Sequence, residues 1–188
     1  MAMPSVSQRD WTVAKLHALP DDGNRYEIID GVLYVTPSPR LPHQRAISDL
    51  IRLIWPYAHD AGLMPMTSPA DIQFSERTVV QPDLFVFTET TNARAMFWTE
   101  VAPQLLLTIE VLSPSTARRD RTVKRRLYQT QRIPDYWIAD TNTRAIERWQ
   151  PDDERAVICA STLTWQPVAS HAPLHIDVAE YFRAIHGD

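Results

Sequence analysis

At 188 residues and 21.6 kDa, with 44% hydrophobic and 22% charged residues, the chain has the make-up of one ordinary globular domain, 1–188, with a full core. A net charge of −4 argues against a surface that gathers nucleic acid everywhere, no apolar run reaches the length of a membrane span, and the N-terminus lacks a secretory pattern of charge followed by an apolar core. The single cysteine, Cys159, excludes an internal disulfide; within the apolar run from Ala156 to Ala160 it reads as a buried structural thiol, and the expected location is cytoplasmic.

The first helix is expected around Trp11 to Leu19, ended by Pro20-Asp21-Asp22-Gly23. Two apolar runs then flank Asp30-Gly31, a strong hairpin signal, and Pro37 to Pro42 forms a stiff loop. From His43 to Ala61 the residues Ala46, Ile47, Leu50, Ile51, Ile54 and Tyr57 recur at helical spacing, with Pro56 expected to kink or end the helix early. Residues 70–87 suggest two strands, Asp71 to Ser75 and Asp83 to Phe87, around Glu76-Arg77-Thr78. The polar segment 88–103 holds an aromatic island, Met96-Phe97-Trp98, that fits a flap or a plain surface loop.

Leu105 to Leu112 is almost continuously apolar, as for a strand buried on both faces. A helix follows to Arg132, with Val123, Leu127 and Tyr128 inward, and then the strand Pro134 to Asp140; that order implies a parallel crossover. Strands at 145–149, 156–161 and 163–168 are expected to extend the sheet. Asp177 and Glu180 stand three apart, like a capping box, before a closing helix. Trp98, Trp149 and Trp165 suit core packing or an interface.

The chemistry concentrates between Val79 and Lys124. Asp83 opens its strand and Glu110 nearly closes its own, so antiparallel pairing would bring both carboxylates to one sheet end. Oxygen ligands of this kind suit a hard divalent cation that leaves positions for water and a phosphate. A glutamate inside Leu105–Leu112 would cost several kcal/mol if buried alone, which marks it as a site residue or a strand-end acid reaching a partner. Lys15 and Lys124 are the chain's two lysines among nineteen basic residues; the ammonium at Lys124, in a run of arginines, suggests a role that arginine does not fill. From Arg118 to Arg132 there are seven basic residues and one acid, Asp120, which reads as a solvated helix face or as a patch for phosphates.

In order, Tyr26-Glu27, Asp30-Gly31, the Pro37–His43 loop, Gln81-Pro82-Asp83, Glu110 to Thr116, Asp120, Lys124, Tyr128 and Pro134 to Asp140 resemble the PD-(D/E)XK nuclease superfamily. Within it they are similar to the bacterial family described as putative restriction endonucleases. The resemblance implies an α/β fold, a restriction-endonuclease-like mixed sheet of antiparallel strands plus one parallel crossover strand, flanked by helices and carrying extra β-hairpins. It implies a Mg2+- or Mn2+-dependent endonuclease acting on DNA, as a homodimer that cuts both strands. Asp83 and Glu110 would be metal ligands with the carbonyl of Val111; Glu27 would join through water, His43 would contact a phosphate, and Arg118, Arg119, Arg121 and Arg125 would hold the DNA backbone. The family lysine ordinarily stands two residues after the glutamate, where this chain has Leu112. Migration to the following helix is known in the superfamily, and Lys124 fills that place.

Rival sites are weaker. Pro134-Asp135 repeats the Pro-Asp pair but should fall at the opposite sheet edge, whereas Asp140 falls at the near one as an outer acid. Pro173 breaks any helix between His171 and His175, Ser113 and Ser115 lack a neighbouring histidine, and no glycine-rich phosphate loop is present. The alternative to an enzyme is a non-catalytic nucleic-acid-binding or assembly module that keeps the nuclease fold, motivated by Leu112 and the negative net charge.

Overall fold

The computed structural model describes residues 10–88 and 98–187. In chain order its first elements are α1 (Val13–His17), β1 (Arg25–Ile29), β2 (Val32–Thr36), α2 (Leu41–Asp60), β3 (Leu63–Thr67), β4 (Ile72–Ser75), β5 (Thr78–Val80) and β6 (Leu84–Thr88). After the undescribed segment come α3 (Trp98–Val101), β7 (Leu105–Val111), α4 (Ala117–Arg119), a π-helical turn (Asp120–Lys124) and α5 (Arg125–Thr130). The chain ends with β8 (Asp135–Asp140), β9 (Ala145–Trp149), β10 (Val157–Cys159), β11 (Thr162–Trp165), β12 (Leu174–Asp177) and α6 (Val178–His186).

Strand alternation builds the core. Successive residues of a strand face opposite sides, and here both sides of one sheet are apolar. In the six-stranded sheet, ordered β10-β9-β8-β7-β6-β3, Leu84, Val86, Leu107, Ile109, Trp137 and Ala139 join one core cluster with α2 and α6. Phe85, Phe87, Tyr136 and Ile138 join the other, with Leu127 and Tyr128 of α5 and with Ile29, Ile72 and Val80 of a four-stranded sheet ordered β2-β1-β5-β4. Strands β7 and β8 pair in parallel, as the crossover requires, while β3–β6, β6–β7, β8–β9 and β9–β10 are antiparallel. The result is a mixed α/β sheet flanked by helices.

Local signals account for most elements. Asp30 and Gly31 take φ of 51° and 78°, the paired left-handed conformation of a tight hairpin turn, and join β1 to β2. Helix α2 buries Ala46, Ile47, Leu50, Ile54 and Ala58 along one face. Asp177 caps α6 by accepting from the Glu180 amide at 2.8 Å.

Several expectations need correction. Pro56 does not end α2, which runs on to Asp60; the proline lies on the exposed side, where water can serve the carbonyl it leaves free, while Leu50, Ile54 and Ala58 hold the buried side. Strand β3, which no sequence expectation covered, contains Pro65; it is an edge strand pairing with β6 alone, so a missing amide is tolerated. The three-residue β5 stands between the two strands expected from 70–87. Strand β11 does not extend the main sheet; it pairs with β12 in a separate two-stranded sheet. Cys159 is half-buried on the edge strand β10, beside exposed Val157 and Ile158, and is not a core thiol. Trp165 is buried, and Trp149 lies beneath the Arg125 guanidinium. Met96, Phe97 and the Trp98 side chain lie outside the described residues. Among the described residues no helix is long and apolar enough to cross a membrane.

Trp165 meets Trp137 edge-on at 5.8 Å and Tyr57 at 5.7 Å, which joins β11 to the main core. Trp165→Ala should lower stability in chemical denaturation by about 3–5 kcal/mol. Exposed Trp55→Ala should cost no more than about 0.5 kcal/mol.

Candidate active site

Antiparallel pairing of β6 and β7 sets the site. The register Phe85↔Thr108 and Leu84↔Ile109 carries on, one residue further, to Asp83 opposite Glu110. The backbone ahead of β6 is clipped in place by Ser68, whose hydroxyl donates to the Pro82 carbonyl at 2.6 Å and whose amide donates to the Asp83 carbonyl at 3.2 Å. Glu110, directly after buried Ile109, is only 2% exposed.

Each carboxylate is met by specific donors. Asp83 Oδ1 accepts from Arg25 Nη1 at 2.6 Å, and Oδ2 accepts from the Val111 amide at 2.9 Å. His43 Nε2 lies 3.1 Å from the same Oδ2 and 2.9 Å from the Val111 carbonyl, so its N–H is shared between two acceptors. Glu110 Oε1 accepts from Lys124 Nζ at 2.8 Å and from the Tyr128 hydroxyl at 3.2 Å, leaving Oε2 without a protein donor among the described residues. Lys124 Nζ also reaches Glu27 Oε1 at 2.7 Å, where the Gln81 amide donates at 2.8 Å. Glu27 Oε2 lies 3.2 Å from Arg119 Nη2, which donates to the Thr36 hydroxyl at 2.9 Å while the guanidinium covers the Tyr34 ring.

Lys124 reaches Glu110 through the π turn. It lies on the wide turn Asp120–Lys124, is fully buried, and is followed four residues later by Tyr128 on the same carboxylate. Such turns recur at functional positions.

These environments drive the acidities apart. Burial alone would raise Asp83, but the hydrogen bond from His43 and the charges of Arg25 and His43 bring it down to about 2. Burial pushes Glu110 well above the usual carboxylate range; Lys124 opposes this, and Asp83, Asp120 and Glu27 add to it. Glu27 is buried too, yet Lys124 and Arg119 hold it below its ordinary value. Burial works against the Lys124 ammonium, but Glu110, Glu27 and Asp120 outweigh it and keep that group protonated. Asp120, which no sequence signal gave a role, is 1% exposed, raised by burial, and has neither carboxylate oxygen hydrogen-bonded.

As a donor set the cluster suits a hard cation. Its ligands are carboxylate and carbonyl oxygens, the type that Mg2+ and Mn2+ take. Four acids, Asp83, Glu27, Glu110 and Asp120, stand among three fixed cations, Arg25, Lys124 and Arg119, and the raised Glu110 and Asp120 are the acids whose ionised forms an incoming cation would favour. Among the described residues, however, no three His, Cys, Asp or Glu side chains stand together in ready-made metal geometry. Asp83, Glu27 and Glu110 are instead each turned onto a protein cation at close range, and Asp120 Oδ1 lies 3.9 Å from Arg119 Nε. A cavity of about 410 Å³ opens beside the cluster, lined among others by Arg25, Arg40, His43, Val111 and Ser113. A second, of about 180 Å³, adjoins it past Asp83, Arg25, Gln44 and Ser68.

The expected DNA-holding arginines are mostly spent internally. Arg119 is committed to Glu27 and Thr36; Arg121 donates to Glu147 at 2.6 Å and Asp140 at 2.7 Å; Arg125 lies over Trp149 and donates to Gln129 at 2.8 Å. Of the four, Arg118 alone is exposed without a side-chain partner among the described residues. Asp140 is thus held by Arg121 rather than joined to the cluster, and Asp135 pairs with Arg148 at the far end of the sheet. Sequence reasoning missed Arg25. The signal was present: Arg25 and Glu27 are two apart on one strand and share a face.

No curated protein matches the chain. A solved structure, titled as a putative nuclease belonging to DUF820 from Anabaena variabilis ATCC 29413, superposes with a TM-score of 0.74 at 18% identity, covering 93% of this chain and 99% of that one. At that identity the likeness shows the fold. The model of the Uma2 family, described as putative restriction endonuclease, matches residues 13–177, and on this match the chain belongs to that family.

Proposed function

We propose that the protein is a divalent-metal-dependent endonuclease that hydrolyses DNA phosphodiester bonds. The observation that carries this reading is the placement of Asp83 and Glu110 at one sheet end, with the Lys124 ammonium on Glu110, beside an open cavity. Asp83, Glu110 and the Val111 carbonyl would hold Mg2+ or Mn2+, with Glu27 behind them on Lys124. A bound divalent ion supplies Lewis acidity toward the phosphoryl group and lowers the pKa of a coordinated water.

The chain's own residues do the rest. Tyr128 and Lys124 both bond Glu110 Oε1, so Oε2 would be the ligand atom. Lys124, held protonated between Glu110 and Glu27, offsets negative charge that develops on the phosphoryl oxygens and orients the attacking water; in this state it is not a base. His43 fixes the Val111 carbonyl and Asp83 together. Arg118, and Arg40 at the cavity, are the exposed cations available to the DNA backbone. Cutting both strands of a duplex would need two copies related by a two-fold axis.

The alternative, a non-catalytic DNA-binding or assembly module, is favoured by one observation: Asp83, Glu110 and Glu27 are already neutralised by protein cations. Incubation of the purified protein with duplex DNA and Mg2+ or Mn2+ separates the two. Metal-dependent cleavage that disappears in Asp83→Ala and Glu110→Ala supports the enzyme. Uncleaved DNA, or cleavage unchanged in both variants, sinks it.

Two further outcomes are expected. Lys124→Met should cut the cleavage rate roughly 10²–10³-fold and also lower stability by about 3–5 kcal/mol, because Glu27 and Glu110 lose a buried partner; turnover and denaturation measured on the same preparation check both. Arg118→Ala should weaken DNA binding and reduce the slope of log affinity against log salt by about one, whereas Arg121→Ala should leave that slope unchanged.

A further inference from the structure

Both oxygens of Asp83 are engaged by protein donors. Oδ1 is taken by Arg25 at 2.6 Å, and Oδ2 by the Val111 amide at 2.9 Å with His43 at 3.1 Å. A cation arriving at Oδ1 would meet the Arg25 guanidinium, a like charge already 2.6 Å from that oxygen, and must compete with it. The amide belongs to β7, paired on both sides within the sheet. His43 is anchored twice, since its Nε2 also meets the Val111 carbonyl at 2.9 Å.

Arg25 is anchored once. Asp83 is its single side-chain partner among the described residues, and its Nε is buried without an acceptor. Its side chain, 15% exposed, borders both the 410 Å³ cavity and the 180 Å³ cavity, so open space lies on either side of it. The guanidinium is a planar fork whose remaining donors match the oxygens of a phosphate.

We infer that Arg25 is a built-in competitor for the metal: it occupies Asp83 in the metal-free protein and passes to a phosphate of the nucleic acid when a divalent ion takes its place. The inference rests on the metal-dependent reading above. It makes ion and substrate mutually dependent, because a phosphate that captures Arg25 frees Asp83, and by linkage each ligand must tighten the other by the same factor. A purely structural ion pair would not behave in this way.

Titration of Mn2+ into the metal-free full chain tests it. Arg25→Gln should bind Mn2+ at least fivefold more tightly than wild type, and Arg25→Lys, which keeps the charge, should stay close to wild type. A phosphorothioate duplex should tighten Mn2+ binding to wild type, and less so to Arg25→Gln. If Arg25→Gln does not fold without metal, circular dichroism should show its structure recovered on adding Mn2+. An affinity for Mn2+ in Arg25→Gln equal to or below that of wild type, or an unfolded variant that Mn2+ fails to rescue, overturns the inference while an Asp83-dependent site in wild type stands. Tighter Mn2+ binding with the duplex effect unchanged overturns the transfer to phosphate. If wild type itself shows no Mn2+ binding that Asp83→Asn removes, both readings fall, and the fault lies in the metal site.

Discussion

A carboxylate placed inside a core strand sets the terms for this molecule. Glu110 is 2% exposed, and left alone it would cost several kcal/mol. Lys124 and Tyr128 answer it, but Lys124 is itself an ammonium with no exposure and needs a further acid. Glu27 provides that acid from β1, and is in turn met by Gln81, by Arg119 and, through Arg119, by Thr36 and Tyr34 of β2. One buried charge thus ties the six-stranded sheet, the helical segment after it and the four-stranded sheet into a single network. Apolar contacts among Ile29, Ile72, Val80 and Leu127 hold these layers together; the charge network determines which residues face each other across them.

The same network keeps Asp83 and Glu110 chemically unlike, although they are opposite one another. Asp83 sits at the sheet end among an amide, a guanidinium and an imidazole, and is held low. Glu110 is equally buried but lies among other acids, and is held high. Pairs of titratable groups pushed apart by their surroundings are characteristic of reaction centres, though structural ion-pair networks also produce them. Here an incoming positive charge would favour the ionised form of Glu110, an effect strengthened by a poorly solvated setting.

Much of this was legible in the chain, for identifiable reasons. The hairpin at Asp30-Gly31, the helix from Leu41 and the buried strand at Leu105 each follow from signals within a dozen residues. The approach of Asp83 to Glu110 needed one further step, antiparallel pairing, and the structure has it. What stayed hidden depends on distant partners or on position in the sheet. Pro65 argues against a strand until β3 is seen to be an edge. The basic run after Thr116 looks like a solvated or phosphate-facing surface until Thr36, Asp140 and Glu147 are brought beside it from elsewhere in the chain. Arg25 reads as an ordinary strand-opening charge because its partner lies 58 residues away.

Leu112 bears on why the ammonium at Glu110 comes from a helix. Two residues beyond Glu110, it falls on the same side of the strand, but it is 8% exposed and belongs to the cluster containing Leu127 and Tyr128. A lysine there would give up packing beneath α5 to supply an ammonium. In this chain the packing stays and the ammonium arrives from above, on the turn that the packing holds down. Lys124, Leu127 and Tyr128 stand three and four residues apart and so share one face of the helical segment: Leu127 and Tyr128 pack into the core from it while Lys124 reaches Glu110. Placing the charge on a helix therefore makes its position depend on how that helix seats on the sheet. The apolar contacts of α5 belong to the candidate site as much as its acids do.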